Sequence, residues 1–258
     1  MSIYITGDLH GRFQPVREFY ERQKEMLDKN DENILICLGD FGANFFFDYR
    51  DRNFKEKLGK YPFIYFAIRG NHEERPSICM EKEPDKWHTE IFFGETVYVE
   101  NEYPYIKYAL DYPAVYNIIG VETLVIPGAY SVDKYYRIQN NYTWFENEQL
   151  TETEKEYGRT LVRKHNEAFT LILSHTCPRM YEPTDLFLPN IDQSTVDVSM
   201  ELYLGEIQYS LKYYRAWLWG HFHDFRDYPR KGADFCHTML HNDFLDLFEY
   251  LNGNTNRL

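Results

Sequence analysis

Residues that can bind a metal ion or transfer a proton recur in five short segments of the chain, most of them beside a glycine. Carboxylate, imidazole and amide oxygen ligands suit manganese, iron, zinc or nickel better than calcium or magnesium. The combination therefore predicts a site for transition-metal ions. Its candidate residues are Asp8 and His10, Asp40, Asn71 and His72, His175, and His221 and His223.

Each of these segments follows a short apolar run that is typical of a buried β-strand. Open α/β sheets bind ligands at the carboxyl ends of their strands, so five such runs indicate one site assembled from five loops. Glycines beside the candidate residues are expected to allow the tight turns and positive φ angles that direct short side chains inward. The runs are 3–6, 33–38, 63–68, 169–173 and 216–219, and the glycines are Gly7, Gly11, Gly39, Gly70 and Gly220.

Each segment taken alone has a simpler interpretation. A single aspartate at a strand end is usually a turn residue, and a single buried histidine is more often a hydrogen-bonded core residue than a ligand. Gly70-Asn71-His72 alone is compatible with a turn. These interpretations would need five independent coincidences at five strand ends, and the joint pattern therefore favours a metal site.

The residue types suit hydrolysis of a phosphate ester. Two divalent cations about 3.5 to 4 Å apart can hold a bridging hydroxide and bind the phosphoryl oxygens. A carboxylate shared by the two ions reduces their mutual repulsion. A histidine that binds neither ion can then protonate the leaving alkoxide.

Five blocks of the sequence resemble, in order, those of the calcineurin-like metallophosphoesterases, over a stretch from Asp8 to His223. The resemblance implies an α/β fold with a β-sandwich flanked by helices in α/β/β/α layers, as a single domain over residues 1–258. It also implies two divalent metal ions, with manganese favoured over iron, zinc or nickel. The blocks are Gly7-Asp8-Leu9-His10-Gly11, Gly39-Asp40, Gly70-Asn71-His72-Glu73, His175 and Gly220-His221-Phe222-His223.

The same resemblance implies a role for each candidate residue. Asp40 would be shared by both ions, and His72 would be the general acid that binds neither. One ion would be held by Asp8, His10, Asp40 and His223, and the other by Asp40, Asn71, His175 and His221.

The second block departs from the protein serine/threonine phosphatase branch, which the first and third blocks, with Arg69, resemble. In that branch a second aspartate and an arginine follow the shared aspartate, whereas Asp40 is followed by Phe41-Gly42-Ala43-Asn44. An anionic phosphomonoester usually needs an arginine clamp. Its absence and the abundant aromatic residues favour a small phosphodiester or nucleotide. A phosphomonoesterase or protein phosphatase, and a non-catalytic binding module that retains the fold, are the alternatives.

Substrate contacts are predicted from basic and aromatic residues near the motifs. Residues 127–134 are similar to a segment of uncharacterised bacterial and phage-encoded family members. Tyr130, Lys134 and Arg137 are expected to contact the substrate, and the alternative is a packed structural loop. Arg12 and Arg75 lie beside motif residues. For each of them the alternatives are a replacement for the missing arginine and a surface charge.

Composition narrows the range of partners. A formal net charge of -13 argues against extended binding to nucleic acid, so the expected partner is a small phosphorylated substrate. No apolar run is long enough to cross a bilayer and the start is not basic, which predicts a cytoplasmic protein without a membrane partner. The four cysteines are far apart and are expected to be reduced, buried thiols.

The rest of the chain gives weaker expectations. Residues 13–29 and 146–164 have patterns typical of amphipathic or exposed helices, and 122–126 is typical of a strand. Residues 74–95 are charged and contain proline, and we expect them to be irregular. Residues 183–198 are expected to form a loop.

Overall fold

Two β-sheets form the centre of the molecule in the computed structural model, which describes residues 1–29, 32–187, 189, 191–228, 236–241, 243–253 and 258. Most of the strands are short, as expected for strands that end in functional loops. Their bounds are β1 (Ser2–Thr6), β2 (Asn33–Cys37), β3 (Ile64–Ala67), β4 (Trp87–Phe92), β5 (Glu95–Glu100), β6 (Ile106–Tyr108), β7 (Ala114–Ile118), β8 (Val121–Ile126), β9 (Leu171–Ser174), β10 (Ala216–Trp219), β11 (Arg226–Asp227), β12 (Cys236–Met239) and β13 (Leu245–Asp246).

Strand order places the five predicted strands at the middle of the two sheets. Among the described residues the first sheet has the order β13-β1-β2-β3-β6-β5-β4, and the second has the order β11-β12-β10-β9-β8-β7. Strands β1, β2 and β3 are parallel to one another, and so are β8, β9 and β10. Parallel neighbours end at the same edge of a sheet, which brings their following loops together.

Alternating side chains divide the strands between an inner core and two outer layers. In β2, Ile34 and Ile36 face the core between the sheets, whereas Leu35 and Cys37 face the opposite side. In β10, Leu218 belongs to the inner core and the neighbouring tryptophans belong to the outer layer. This period of two is the consequence of the strand pleat, and both faces are apolar because helices cover the outer faces.

Helices cover both outer faces. Helices α1 (Gln14–Leu27) and α2 (Tyr49–Leu58) pack on the first sheet through Val16, Phe19 and Phe54, among others. Helices α5 (Glu152–Lys164) and α6 (Ser199–Ser210) pack on the second sheet. The layers therefore confirm the predicted α/β/β/α sandwich. The remaining helices are α3 (Pro76–Lys82), α4 (Lys134–Gln139) and α7 (Leu247–Leu251).

The five strands predicted from apolar runs are confirmed, as is the helix at 13–29, but other expectations need correction. The second predicted helix begins only at Glu152, where Thr151 and Glu154 form a capping box. The expectation that 74–95 is irregular is wrong, because it contains α3, a 3-10 turn and β4. Pro76 is compatible with α3 because the first turn of a helix needs no amide donor.

Two smaller expectations were tested in part. Cys37, Cys79 and Cys177 are buried free thiols as predicted, and the side chain of Cys236 lies outside the described residues. Over the described part of the chain, every helix is too short or too polar to cross a membrane.

Candidate metal centre

The predicted ligands lie together where β1, β2, β3, β9 and β10 end. Their loops meet at a cavity of about 630 Å³. The strands that carry them are buried, so the backbone of each ligand is anchored in the sandwich core. Of the predicted metal-centre residues, those that line the cavity are His10, Asp40, Asn71, His72, His221 and His223.

A first group of donors consists of Asp8, His10, Asp40 and His223. One donor atom of each lies within 4.8 Å of the others. Nε2 of His10 lies 2.8 Å from Nε2 of His223 and 3.8 Å from Oδ2 of Asp40. Burial lowers the pKa of His10 to about 3, against the attraction of the Asp40 carboxylate. His10 is therefore a neutral imidazole that can present a lone pair.

A second group forms around Asn71. Its Oδ1 lies 2.8 Å from Nε2 of His175 and 3.1 Å from Nδ1 of His221. The other ring nitrogen of His175, Nδ1, lies 2.8 Å from the carbonyl oxygen of Leu38. A carbonyl oxygen only accepts, so Nδ1 carries the proton and Nε2 presents its lone pair to the centre.

Asp40 lies between the two groups. Its Oδ2 faces His10, and its Oδ1 lies 3.6 Å from Nε2 of His175. The Asp8 carboxyl is completely buried, and burial together with the charge of Asp40 raises its pKa. Buried acceptor atoms that face each other at these distances repel unless a cation lies between them. The donor set therefore fits divalent cations, which residues of the two groups would hold together with Asp40.

Left-handed backbone conformations direct several of these side chains. The φ angles are 48° at His10, 47° at Asp40, 71° at His221 and 55° at His223. Such angles cost a residue with a side chain roughly 1–2 kcal/mol each. Strain of this kind is typical of functional sites, where surrounding packing holds it in place.

Two of the glycines provide space. A Cβ atom on Gly70 would lie 2.1 Å from Oδ1 of Asp40, and one on Gly220 would lie 2.8 Å from Oδ2 of Asp8. Neither glycine has a positive φ. The expectation of a positive φ is therefore wrong for these two positions, although it holds for Gly11 at 69° and Gly39 at 101°.

The sequence model of the calcineurin-like phosphoesterases matches residues 1–225. This chain belongs to that family. Comparison with curated protein sequences gives no match.

Solved structures share the fold of this calcineurin-like protein. The protein TT1561 of Thermus thermophilus is 12% identical with a TM-score of 0.52, and the match covers 98% of this chain and 95% of that one. A dimetal phosphatase from Danio rerio is 10% identical with a TM-score of 0.50, and the match covers 93% of this chain and 87% of that one. At these identities the likeness shows the fold alone.

A hydrogen-bond chain behind Asn71 orients its amide in this family member. Nδ2 of Asn71 donates to Oγ of Ser131 at 2.9 Å, and Oγ of Ser131 donates to Oε2 of Glu148 at 2.5 Å. Nε1 of Trp144 also donates to Glu148, at 3.0 Å. Because Nδ2 is engaged, Oδ1 is left facing His175 and His221. Sequence reasoning missed Ser131 and Glu148, whose only signal was their position in or next to the 129–144 segment.

Glu73 joins the second and third blocks. Its carboxylate accepts from the backbone N–H of Gly42 at 2.6 Å and from that of Gly70 at 3.2 Å. Burial raises the pKa of Glu73 to about 8, and the nearby Asp40 carboxylate acts in the same direction. Glu73 was quoted in the motif without a role, and the structure shows that it positions the loops that carry Asp40 and Asn71.

His72 lies at the cavity wall, outside both donor groups. Its backbone N–H donates to Oδ1 of Asp40 at 2.9 Å, while its ring nitrogen Nε2 is 4.0 Å from Oδ2 of that residue. The ring of Phe45 packs against it at 5.9 Å. Its ring lines the cavity, and its backbone N–H helps to fix the conformation of the Asp40 carboxylate.

The structure places only some of the predicted substrate residues at the cavity. Tyr130 and Arg137 line the cavity, whereas Arg12 and Lys134 are absent from its described wall. The ammonium group of Lys134 lies 4.4 Å from the Trp144 ring, and Nε of Arg12 donates to the carbonyl oxygen of Leu9 at 3.3 Å.

Arg75, the other candidate for the missing arginine, has a structural position. Its guanidinium is paired with Glu154 and donates to the carbonyl oxygen of Gln149 at 2.8 Å. It therefore connects the third block to the start of α5.

Proposed function

We propose that this protein hydrolyses phosphate esters with two divalent cations, manganese favoured, and with His72 as the general acid. One observation carries the proposal: Asp40 presents one oxygen to each of two donor groups, and the ring of His72 lies in the same cavity outside both. Bound cations would supply a water that ionises near neutral pH and would neutralise the phosphoryl oxygens.

The protein's own residues have separable tasks in this reaction. The two donor groups hold the cations, and the network behind Asn71 keeps its amide oxygen aimed at them. His72 gives a proton to the leaving oxygen, a contribution of about 10² to 10⁴ in rate for a well-placed group.

A small phosphodiester or nucleotide remains the favoured substrate over a phosphomonoester. The two arginines of the described cavity wall are Arg137 and Arg179. Nε of Arg137 donates to Asp133 at 2.8 Å, and Arg179 is paired with Glu182. A doubly charged monoester would have to compete with these carboxylates for an arginine. The cytoplasmic location stays a prediction.

Metal removal and replacement test the proposal. Protein treated with a strong chelator is expected to lose hydrolysis of every ester in a panel of monoesters and diesters. Addition of manganese should restore more activity than magnesium or calcium, because the donors include several imidazoles. Full activity after rigorous chelation would contradict the mechanism.

A further inference from the structure

The cavity continues beyond the metal centre into an apolar pocket. Part of the pocket lining comes from the segment between β9 and α6, which contains two short 3-10 helices, Thr184–Leu186 and Gln193–Thr195. Two long-range contacts hold this segment in place, between Arg226 and Asp185 at 2.7 Å and between Gln149 and Asp197 at 3.0 Å. We call it the apolar wall, and its lining side chains are Leu186, Phe187, Ile191, Val196 and Val198.

A second set of apolar side chains also lines the pocket, and it is largely aromatic. It consists of side chains from the loop after β2 and from the segment after β8, and Phe222 lies next to the metal ligands. Cavities of this size are typical of sites for small organic ligands, in which apolar walls enclose the ligand and a few polar groups orient it. Besides Phe222, the residues of this second set are Phe45, Phe46, Tyr130 and Val132.

Apolar side chains also reach the mouth of the pocket. Phe46 and Val132 are each 39% exposed, and Leu186 is 37% exposed. They line the same cavity. Exposed apolar groups gathered at a cleft mark a ligand-binding surface more often than isolated ones do.

The two arginines of the described cavity lining, Arg137 and Arg179, are paired with carboxylates, as described above. The carboxyl of Glu201 accepts from Oγ1 of Thr176 at 2.7 Å, and burial raises its pKa to about 7. Among the described residues of the cavity lining, no arginine therefore offers an unpaired positive charge to a second phosphate or carboxylate.

We propose that, of the favoured substrates, the preferred one is a phosphodiester of an uncharged, apolar alcohol rather than a nucleotide, and that its apolar part packs against the apolar wall and Tyr130. This inference rests on the proposed function, because the metal centre must hold the phosphoryl group. A sugar would place hydroxyls against these apolar side chains, where each hydroxyl left without a partner costs about 1–3 kcal/mol. A polyphosphate would meet the carboxylates of the described cavity lining, whose two arginines are already paired.

A matched pair of substrates tests this specificity. Phenyl phosphate and 4-butylphenyl phosphate have leaving groups of nearly equal acidity and differ in apolar length; both are also made as methyl diesters. Each fully buried methylene raises affinity roughly fourfold. We expect kcat/KM to be at least tenfold higher for the butyl member of the pair. Equal cleavage of both members would overturn the apolar pocket and leave the hydrolase assignment intact.

Two variants localise the effect. Phe187→Ala should reduce the preference for the butyl ester to less than about threefold, because a lost aromatic wall leaves the chain in water. Leu202→Ala is the control, since Leu202 is 51% exposed in α6 and is not part of the cavity lining. It should keep the full preference. An identical reduction in both variants would reject the assignment of the preference to the apolar wall.

A binding measurement separates this inference from the proposed function. Calorimetry would compare 4-butylphenylphosphonate with phenylphosphonate, which resist hydrolysis, on the manganese-loaded protein. At least tenfold tighter binding of the butyl compound supports the pocket even if no ester is cleaved, which would count against the hydrolase alone. Equal affinity of the two phosphonates would overturn the pocket whatever the outcome of the hydrolysis assays.

Discussion

The metal centre and the apolar wall line the same cavity but are held by different kinds of structure. Asp8, Asp40 and His175 are at most 1% exposed and follow central strands of the sandwich. The apolar wall consists of loop and short 3-10 helices, and its Leu186 is 37% exposed. The metal centre is thus part of the core, whereas the apolar wall is a surface segment held by a few contacts.

This difference suggests a division of tasks. Groups that must keep a fixed geometry belong on rigid elements, whereas loops can change composition without cost to the core. We therefore expect changes at the metal centre to abolish turnover and changes at the apolar wall to alter which ester is preferred. The predictions below test that division, in order of decreasing effect.

Loss of the shared carboxylate should have the largest effect. In Asp40→Asn both donor groups lose an anionic ligand, whereas His223→Ala changes only the first group. We expect elemental analysis to find no retained manganese in Asp40→Asn and about one ion per chain in His223→Ala. Two ions retained in Asp40→Asn would show that Asp40 is not shared.

His72→Ala should keep both ions and lose chemistry. The expected loss is about 10² to 10⁴ on alkyl esters, whose leaving alkoxide needs a proton. Nitrophenyl esters need little protonation and should be affected much less. Rates on both ester types are measured beside the metal content; a missing ion would place His72 among the ligands, and equal losses would reject the general-acid role.

Disruption of the network behind Asn71 should weaken one ion selectively. Glu148→Gln and Ser131→Ala leave the ligands in place but remove support for the Asn71 amide. Loss of such supporting contacts typically costs 10- to 100-fold in metal affinity. Calorimetric titration should show this loss for one of two binding steps. Ser210→Ala, a change at the end of α6, is the control, and an equal loss there would dismiss the network.

The smallest effect is expected at the two basic residues of the 129–144 segment. Arg137 lines the cavity and Lys134 does not. Because Arg137 is already paired with Asp133, Arg137→Ala should raise KM only by roughly two- to fivefold, in the range of a partly exposed charge pair. Lys134→Ala should leave KM unchanged. A larger increase in KM for Lys134→Ala than for Arg137→Ala would show that Lys134 contacts the substrate.

Sequence alone determined the strand ends and the ligand types at the metal centre. Strand formation depends on local apolar runs, and each run is followed within a few positions by residues that can bind metal. The motif order then indicated the family that residues 1–225 match. These features are local, so they can be predicted without knowledge of how the chain packs.

Tertiary structure alone decided the rest of the site. Ser131 and Glu148 support Asn71 from 60 and 77 positions away along the chain, so no local pattern could join them. Arg75 became part of an ion pair with Glu154 because α5 starts beside the third block. Residues 183–198 have no periodic pattern in the sequence. Of this stretch, the described residues 183–187, 189 and 191–198 form the apolar wall, where Arg226 and Gln149 contact Asp185 and Asp197. Contacts between distant segments depend on the packing of the two sheets, which a local reading of side-chain types does not contain.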